Sequence, residues 1–281
     1  MASDHEVLKE IEGSLDRPSA ARVYDYLLGG THNYAIDRAF AEKVRAKLPI
    51  FPKSALTCRQ FLGRAVRHCA ASGIRQFVDI GSGLPTQNNV HEVADDARPD
   101  QDTRVVYIDN EPIALAHSQV LLADTADPDR HRAIAGDLLQ PWDLWRRVTE
   151  TGVIEPSEPI AIVINAVLHF IDDDQHPHRA VEFYRDMVAP GSMLVLSHIT
   201  TQNPVSSMEQ QAMREVKAFY EGTTNPGLSR TSDEFARFFG DWPLEEPGVV
   251  YAPAWRPDSE TYSAEEPART HVLAGVARKA A

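Results

Sequence analysis

The sequence predicts an α/β fold: a mostly parallel, seven-stranded sheet covered by helices and preceded by an N-terminal helical extension. Three observations carry this expectation. From residue 76 onward, short apolar runs alternate with helical patterns, as in right-handed β–α–β crossovers. One run, Ile160–Ile164, is apolar at every position, as a strand buried on both faces requires. Several runs end at a glycine or an acidic residue, which is where open α/β sheets present groups to a ligand.

The elements follow in order. Residues 19–28 carry a helical pattern stopped by Gly29-Gly30, and residues 37–48 carry a second ended by Pro49. Cys58, Phe61, Leu62, Ala65, Val66 and Cys69 recur at helical spacing, with Ser54 as N-cap and Gly73 as the left-handed closing residue. The period then changes. Strands are expected at 76–80, 104–108, 133–135, 160–164 and 193–197, with later ones near 248–251 and 271–277. Helices are expected at 88–97 (ended by Pro99), 112–123, 141–149, 178–187, 207–220 and 232–239, the last capped by Thr231 or Ser232. Residues 1–73 read as a helical cap segment. Residues 74–281 read as the sheet domain, with an insert near 200–245 and a Pro-rich surface connection over 247–267.

Composition narrows the partners. The chain has 281 residues, 28 Lys and Arg against 41 Asp and Glu, and a formal charge of −13. Such a surface repels phosphate backbones and anionic lipid, so neither nucleic acid nor membrane is expected; a small molecule fits better. The densest basic stretch, Arg59 to Arg67, reads as the solvated face of one helix. The longest apolar run, 160–171, is broken by Asn165 and His169 and is too short to span a bilayer. The N-terminal residues lack the apolar region of a secretory leader, so a cytoplasmic protein is expected. Cys58 and Cys69 lie eleven residues apart on one predicted helix, about 16 Å, too far for a disulfide. No zinc spacing is present, and no metal is expected.

The central motif is Phe77-Val78-Asp79-Ile80-Gly81-Ser82-Gly83, an apolar strand entering a glycine turn that opens a helix. Such a turn lets a ligand approach the backbone, and its free N–H groups favour an accepting group. Dinucleotide sites call for a third glycine, but Thr86 stands there, which argues against a nicotinamide oxidoreductase. Asp109-Asn110 follows the second strand, where a carboxylate can accept the two ribose hydroxyls of an adenosine ligand. Gly136-Asp137-Leu138 follows the third, where a carboxylate and the next N–H suit an adenine edge. Asn165-Ala166 ends the fourth, above the glycine turn, so that four strand ends in order each offer a group to one part of the same cofactor.

These strand motifs are similar to those of class I S-adenosylmethionine-dependent methyltransferases. More narrowly, the chain resembles a bacterial S-adenosyl methyltransferase family long catalogued as a domain of unknown function. The resemblance rests on Ala21-Arg22-Val23-Tyr24-Asp25-Tyr26-Leu27-Leu28-Gly29-Gly30, Asp79 to Thr86, Asn89-Val90-His91-Glu92, Arg230-Thr231, Phe238-Phe239 and Glu246-Pro247-Gly248. It spans nearly the whole chain. It implies a Rossmann-like fold and S-adenosylmethionine as cofactor, but no acceptor.

Other residues admit two readings. Arg22, Tyr24 and Tyr26 with Gly29-Gly30 form either a lid over the methionine end of the cofactor or a helix packed on the core. His169 and His198, just past the fourth and fifth strands, are either general bases or buried, satisfied histidines. The run Asp172-Asp173-Asp174-Gln175-His176-Pro177-His178 reads as a solvated loop and helix cap rather than a metal site. Tyr220 and Glu221 lie in the insert, where an acceptor pocket is expected. The expected function is methyl transfer to a small-molecule acceptor. The alternative is a regulatory protein that binds S-adenosylmethionine or S-adenosylhomocysteine without transferring the methyl.

Overall fold

The computed structural model describes residues 15–280 apart from 86–87, 99, 101, 203–205, 222, 224–226 and 259–266. Thr86, Pro99 and the first fourteen residues lie outside the described residues.

The sheet contains β1 (Gln76–Ile80), β2 (Arg104–Asp109), β3 (His131–Ala135), β4 (Ile160–Ile164), β5 (Met193–Ile199), β6 (Val250–Tyr251) and β7 (Val272–Arg278). Its order is β3-β2-β1-β4-β5-β7-β6. β1 to β5 pair in parallel, while β7 runs antiparallel between β5 and β6. Strand order reverses between β1 and β4, and a crevice at that switch point is where such sheets bind ligands.

The described helices are α1 (Ala20–Leu27), α2 (Ala35–Lys47), α3 (Phe51–Ala71), α4 (Val90–Asp96), α5 (Pro112–Thr125), α6 (Pro141–Glu150), α7 (Pro177–Met187), α8 (Ser207–Tyr220) and α9 (Ser232–Ala236). A 3₁₀ turn, Arg237–Phe239, completes the segment expected as one helix. α3 begins before the expected Ser54 cap, because Pro52 favours the first turn. The Ser54 hydroxyl lies inside the helix and donates to the Ile50 carbonyl at 3.3 Å. Gly73 closes the helix at φ +96°, the left-handed conformation expected of it.

Period-2 alternation distributes the strand side chains between two cores. Ile160, Ile162 and Ile164 join Leu194, Leu196, Trp145 and Tyr184 on one face. Ala161, Val163 and Val195 join Phe61, Val66, Cys69 and Trp255 on the other. α3 therefore belongs to the core of the sheet. A third cluster joins Val23 of α1, Phe40 and Val44 of α2, and Met213, Val216 and Tyr220 of α8. The N-terminal helices and the insert thus bury their apolar stripes against each other.

The basic stretch on α3 departs from its expected solvated face. Arg64 is buried, and it donates to the Trp255 and Ala252 carbonyls at 2.9 and 2.7 Å. These bonds satisfy two carbonyls of the connection that leads to β7.

Candidate functional site

The glycine turn after β1 is held by main-chain bonds. The Gly81 and Ser82 N–H groups donate to the Ile108 carbonyl at 2.8 and 3.0 Å. Gly81 and Gly83 have φ of +73° and +67°, and a Cβ on Gly81 would collide with the Val167 side chain. Position 81 therefore requires glycine, and the left-handed backbone at Gly83 favours it. The Gly83 N–H donates to Asp109 Oδ2 at 2.7 Å, and the Glu111 N–H to Oδ1 at 2.8 Å. Each carboxylate oxygen keeps a lone pair for a ligand.

Three strand ends deliver carboxylates. Asp79 is 4% exposed, and its carboxylate takes no hydrogen bond among the described residues. Burial pushes its pKa up to about 7; the Arg59 charge opposes the shift and Asp109 adds to it. Burial likewise pushes Asp109 up to about 6, against the N–H groups of Glu111 and Gly83. Asp137 at the end of β3 accepts from the Leu139 N–H at 2.9 Å.

On the other side of β1, the ends of β4 and β5 hold a polar cluster. The Ser197 hydroxyl accepts from the Ala166 N–H at 2.9 Å and donates to Asn165 Oδ1 at 2.7 Å. Ala166 adopts φ +60°, a conformation that favours glycine. The Cys58 thiol lies 3.2 Å from Ser197 Oγ and 3.4 Å from Asn165 Oδ1, and burial pushes its pKa up to about 11. It therefore remains protonated and donates.

The two histidines differ. His198 Nδ1 lies 2.6 Å from the Ile199 carbonyl, which can only accept, so Nδ1 carries the hydrogen. Its Nε2 accepts from Arg230 Nη1 at 2.8 Å. Burial holds its pKa down at about 4. With both nitrogens engaged, His198 is not placed to act as the base that the sequence offered. His169 is buried, and its Nδ1 has no hydrogen-bond partner among the described residues. Burial, then the His198 and Arg230 charges, holds it well below the usual imidazole range, so it is neutral.

All these groups meet in one cavity of about 580 Å³. Tyr24, Asp79, Gly81, Ser82, Gly83, Asp109, Asn110, Asp137, Leu138, Asn165, Ala166, His169 and His198 line it. Tyr220 lines it too, as expected of the insert. Tyr26, Gly29 and Gly30 do not. Tyr26 turns its hydroxyl to Glu42 at 2.9 Å, and Gly30 packs on the Asp25 side chain at the end of α1. Glu221 is exposed. Asp172 caps the short turn Asp173–Gln175, and Asp173 pairs with Arg230 at 2.7 Å. Among the described residues, no His, Cys, Asp and Glu cluster is arranged to hold a metal.

Arg59, Phe51 and Phe170 also line the cavity, and sequence reasoning did not single them out. Cys58 was the available signal for Arg59, because a core position next to it leaves Arg59 at the edge of the buried face.

The sequence model of the S-adenosyl methyltransferase family matches residues 5–280. The chain belongs to this family. S-adenosylmethionine is thus the cosubstrate, and the family is one of methyltransferases. A methyltransferase candidate from Thermobifida fusca is 38% identical; the match covers 94% of this chain and 96% of that one, with a TM-score of 0.84. A duf574 family protein from Streptomyces avermitilis is 32% identical over 94% of this chain and 98% of that one, with a TM-score of 0.86. The S-adenosylmethionine-dependent methyltransferase SibL, at 15% identity and a TM-score of 0.54 over 98% of this chain and 74% of that one, shares the fold. No curated protein matches the sequence. The seven-stranded order and these relatives agree with the Rossmann-like class I methyltransferase fold. Among the described residues, no helix is long and apolar enough to cross a membrane.

Proposed function

We propose that the protein transfers the methyl of S-adenosylmethionine to a small-molecule acceptor held between the strand ends and the helices α1, α3 and α8. The observation that supports this is the division of one cavity into two unlike halves. Asp79, Asp109 and Asp137 enter it from β1, β2 and β3, while Asn165, His169, Phe170 and Tyr220 enter from β4, the turn after it, and α8. Its volume falls in the range of small-molecule sites, roughly 300–1,000 Å³.

The residues present fit the cofactor. Asp79 is a buried carboxylate without a hydrogen bond among the described residues, and Arg59 is close enough for its charge to oppose the Asp79 shift. An acid and a cation at one end of a cavity match the ammonium and carboxylate of an amino-acid moiety. The glycine turn leaves room for the ligand backbone, Asp109 and Asn110 suit the ribose, and Asp137 with Leu138 suits adenine. Tyr24 and Ala166 line the same cavity. When bound, the cofactor supplies an electrophilic methyl on a good leaving group. The chain's own contribution is to align the acceptor, exclude water and, for a protonated nucleophile, take up its proton. His169 lines the cavity and is neutral, so it is the group available for that role.

Calorimetry should show binding of S-adenosylmethionine and S-adenosylhomocysteine. Tight NAD binding without S-adenosylhomocysteine binding would overturn the assignment. Asp109→Ala should weaken S-adenosylhomocysteine by about 1.5–3 kcal/mol, the worth of hydrogen bonds to a charged group. Unchanged affinity in a normally melting variant would place the ribose elsewhere.

Once an acceptor is in hand, His169→Asn should lower turnover by about a hundredfold at saturating cofactor, with cofactor affinity little changed. Only neutral imidazole accepts a proton, and the His169 pKa is held well below 6.5. The wild-type turnover should therefore stay flat as pH falls through 6.5 and drop only in more acidic solution. A drop centred at 6.5 would show that a different, exposed group is the base. A regulatory protein would bind the cofactor but release no product with any acceptor.

A further inference from the structure

We propose that the methylated atom is an oxygen, and that the acceptor is an aromatic hydroxyl compound held by the Asn165 amide N–H and His169 beside the rings of Phe51, Phe170 and Tyr220. This rests on the methyltransferase reading above and extends it to the acceptor.

The first support is the orientation of the Asn165 amide. Ser197 Oγ accepts from the Ala166 N–H, so its single hydrogen is free to go to Asn165 Oδ1 at 2.7 Å. The Cys58 thiol, 3.4 Å away, is a second donor to the same oxygen. The reverse orientation would set the amide N–H against a thiol sulfur, a weak acceptor. Asn165 therefore turns its NH₂ toward the cavity it lines. An amine acceptor spends its single lone pair on the methyl and has none left to accept from the Asn165 N–H. A hydroxyl oxygen has two lone pairs, one to attack and one to accept from Asn165.

Charge points the same way. Arg230 is 3% exposed and sits directly behind His198, with Nη1 2.8 Å from Nε2. Its charge lowers the His169 pKa. The cavity residues supplied by β4, β5 and the turn between β4 and α7 include no carboxylate. That field opposes an ammonium and favours an oxygen gaining negative charge. The ring set selects a flat acceptor. Tyr220 lies 6.4 Å from Phe51 and 6.0 Å from Phe170, and Phe170 lies 4.2 Å from His169.

The step balances. An oxygen lone pair forms the new C–O bond as the C–S bond breaks, leaving its electron pair on sulfur. The hydroxyl proton passes to the His169 imidazole and then to water. The positive charge thus moves from sulfur to imidazole, and the products are an aryl methyl ether, S-adenosylhomocysteine and a proton.

The test uses the full chain and two probes of matched shape, 2-naphthol and 2-naphthylamine. S-adenosylhomocysteine binding is measured first, and its absence would refute the underlying cofactor assignment. The S-adenosylhomocysteine complex should then bind 2-naphthol at least tenfold more tightly than 2-naphthylamine. With S-adenosylmethionine, only the naphthol should gain a methyl by mass. Asn165→Asp should reverse the binding preference, because it places a carboxylate where the amide donor was. Ser197→Ala, which frees the amide to turn, should shrink the preference severalfold. A cofactor-binding protein that binds neither probe, prefers the amine, or keeps its preference in both variants overturns the oxygen assignment alone.

Discussion

Asp79→Asn should melt several degrees above the wild type at pH 8 and lose that advantage as the solution is acidified toward pH 4–5. It should also bind S-adenosylhomocysteine on the order of ten- to a hundredfold more weakly, the loss expected when a charged hydrogen-bond partner becomes neutral. The Asp79 carboxylate is buried and takes no hydrogen bond among the described residues, and burial lifts its pKa from 3.8 to about 7. The sign follows from proton counting. Between pH 4 and 7 the folded protein holds a proton at Asp79 that the unfolded chain has released, so stability falls as pH rises through that window. Above pH 7 the loss is complete, and it is on the order of 4 kcal/mol. The asparagine variant has no such proton, so its excess stability should grow over the same window. His131 and His198 are both held near 4 by burial and contribute the opposite slope. They are present in both proteins, so they cancel in the difference. An asparagine variant less stable than wild type at pH 8, or one whose advantage ignores pH, would show that Asp79 is not a buried charge waiting for a ligand.

The same carboxylates set the pH dependence of cofactor affinity. Asp79 and Asp109 hold protons up to about 7 and about 6 in the free protein, both because of burial. A ligand bringing an ammonium and two hydroxyls needs them ionised. Affinity should therefore weaken as pH falls below 7, in the same range where the free protein gains stability from these groups. Function and stability oppose each other here, as expected of a preorganised site.

What was legible in the sequence was local. The run Ile160–Ile164 and the turn from Asp79 to Gly83 carry their own reasons, in burial and backbone conformation, within a few residues. Asp109 was legible because it ends a strand. What was not legible depends on distant partners. His198 looks like a base until Arg230, 32 residues later, occupies its second nitrogen. Tyr24 and Tyr26 are two residues apart on one helix, so they point to different sides, and only Tyr24 reaches the cavity. The α3 cations misled for a related reason. A charged residue in a helical pattern is assigned to solvent by default. Yet α3 is wrapped by the sheet on one side and by the 252–255 connection on another, and Arg64 finds its acceptors there.

Arg22→Met should remove about 3–5 kcal/mol of stability, the range for breaking one side of a buried ion pair. Arg22 is fully buried. Its Nε donates to Asp37 Oδ2 at 2.8 Å, its Nη1 to Glu111 Oε1 at 2.7 Å and its Nη2 to the Arg17 carbonyl at 2.9 Å. Asp37 is equally buried and also accepts from the Ser19 and Tyr34 N–H groups. Without the guanidinium it loses its cation. Glu111 links this pair to the site: it caps α5 through Ala114, and its own N–H donates to Asp109. Arg22 therefore ties α1, which carries Tyr24, to the loop that presents Asp109. Two consequences separate by design. Arg22→Met/Asp37→Asn removes the stranded charge and should recover most of the melting temperature. It leaves the Glu111 tie cut, so S-adenosylhomocysteine affinity should remain severalfold below wild type. If affinity returns together with stability, Arg22 serves folding alone, and the link from α1 to the Asp109 loop carries no part of binding.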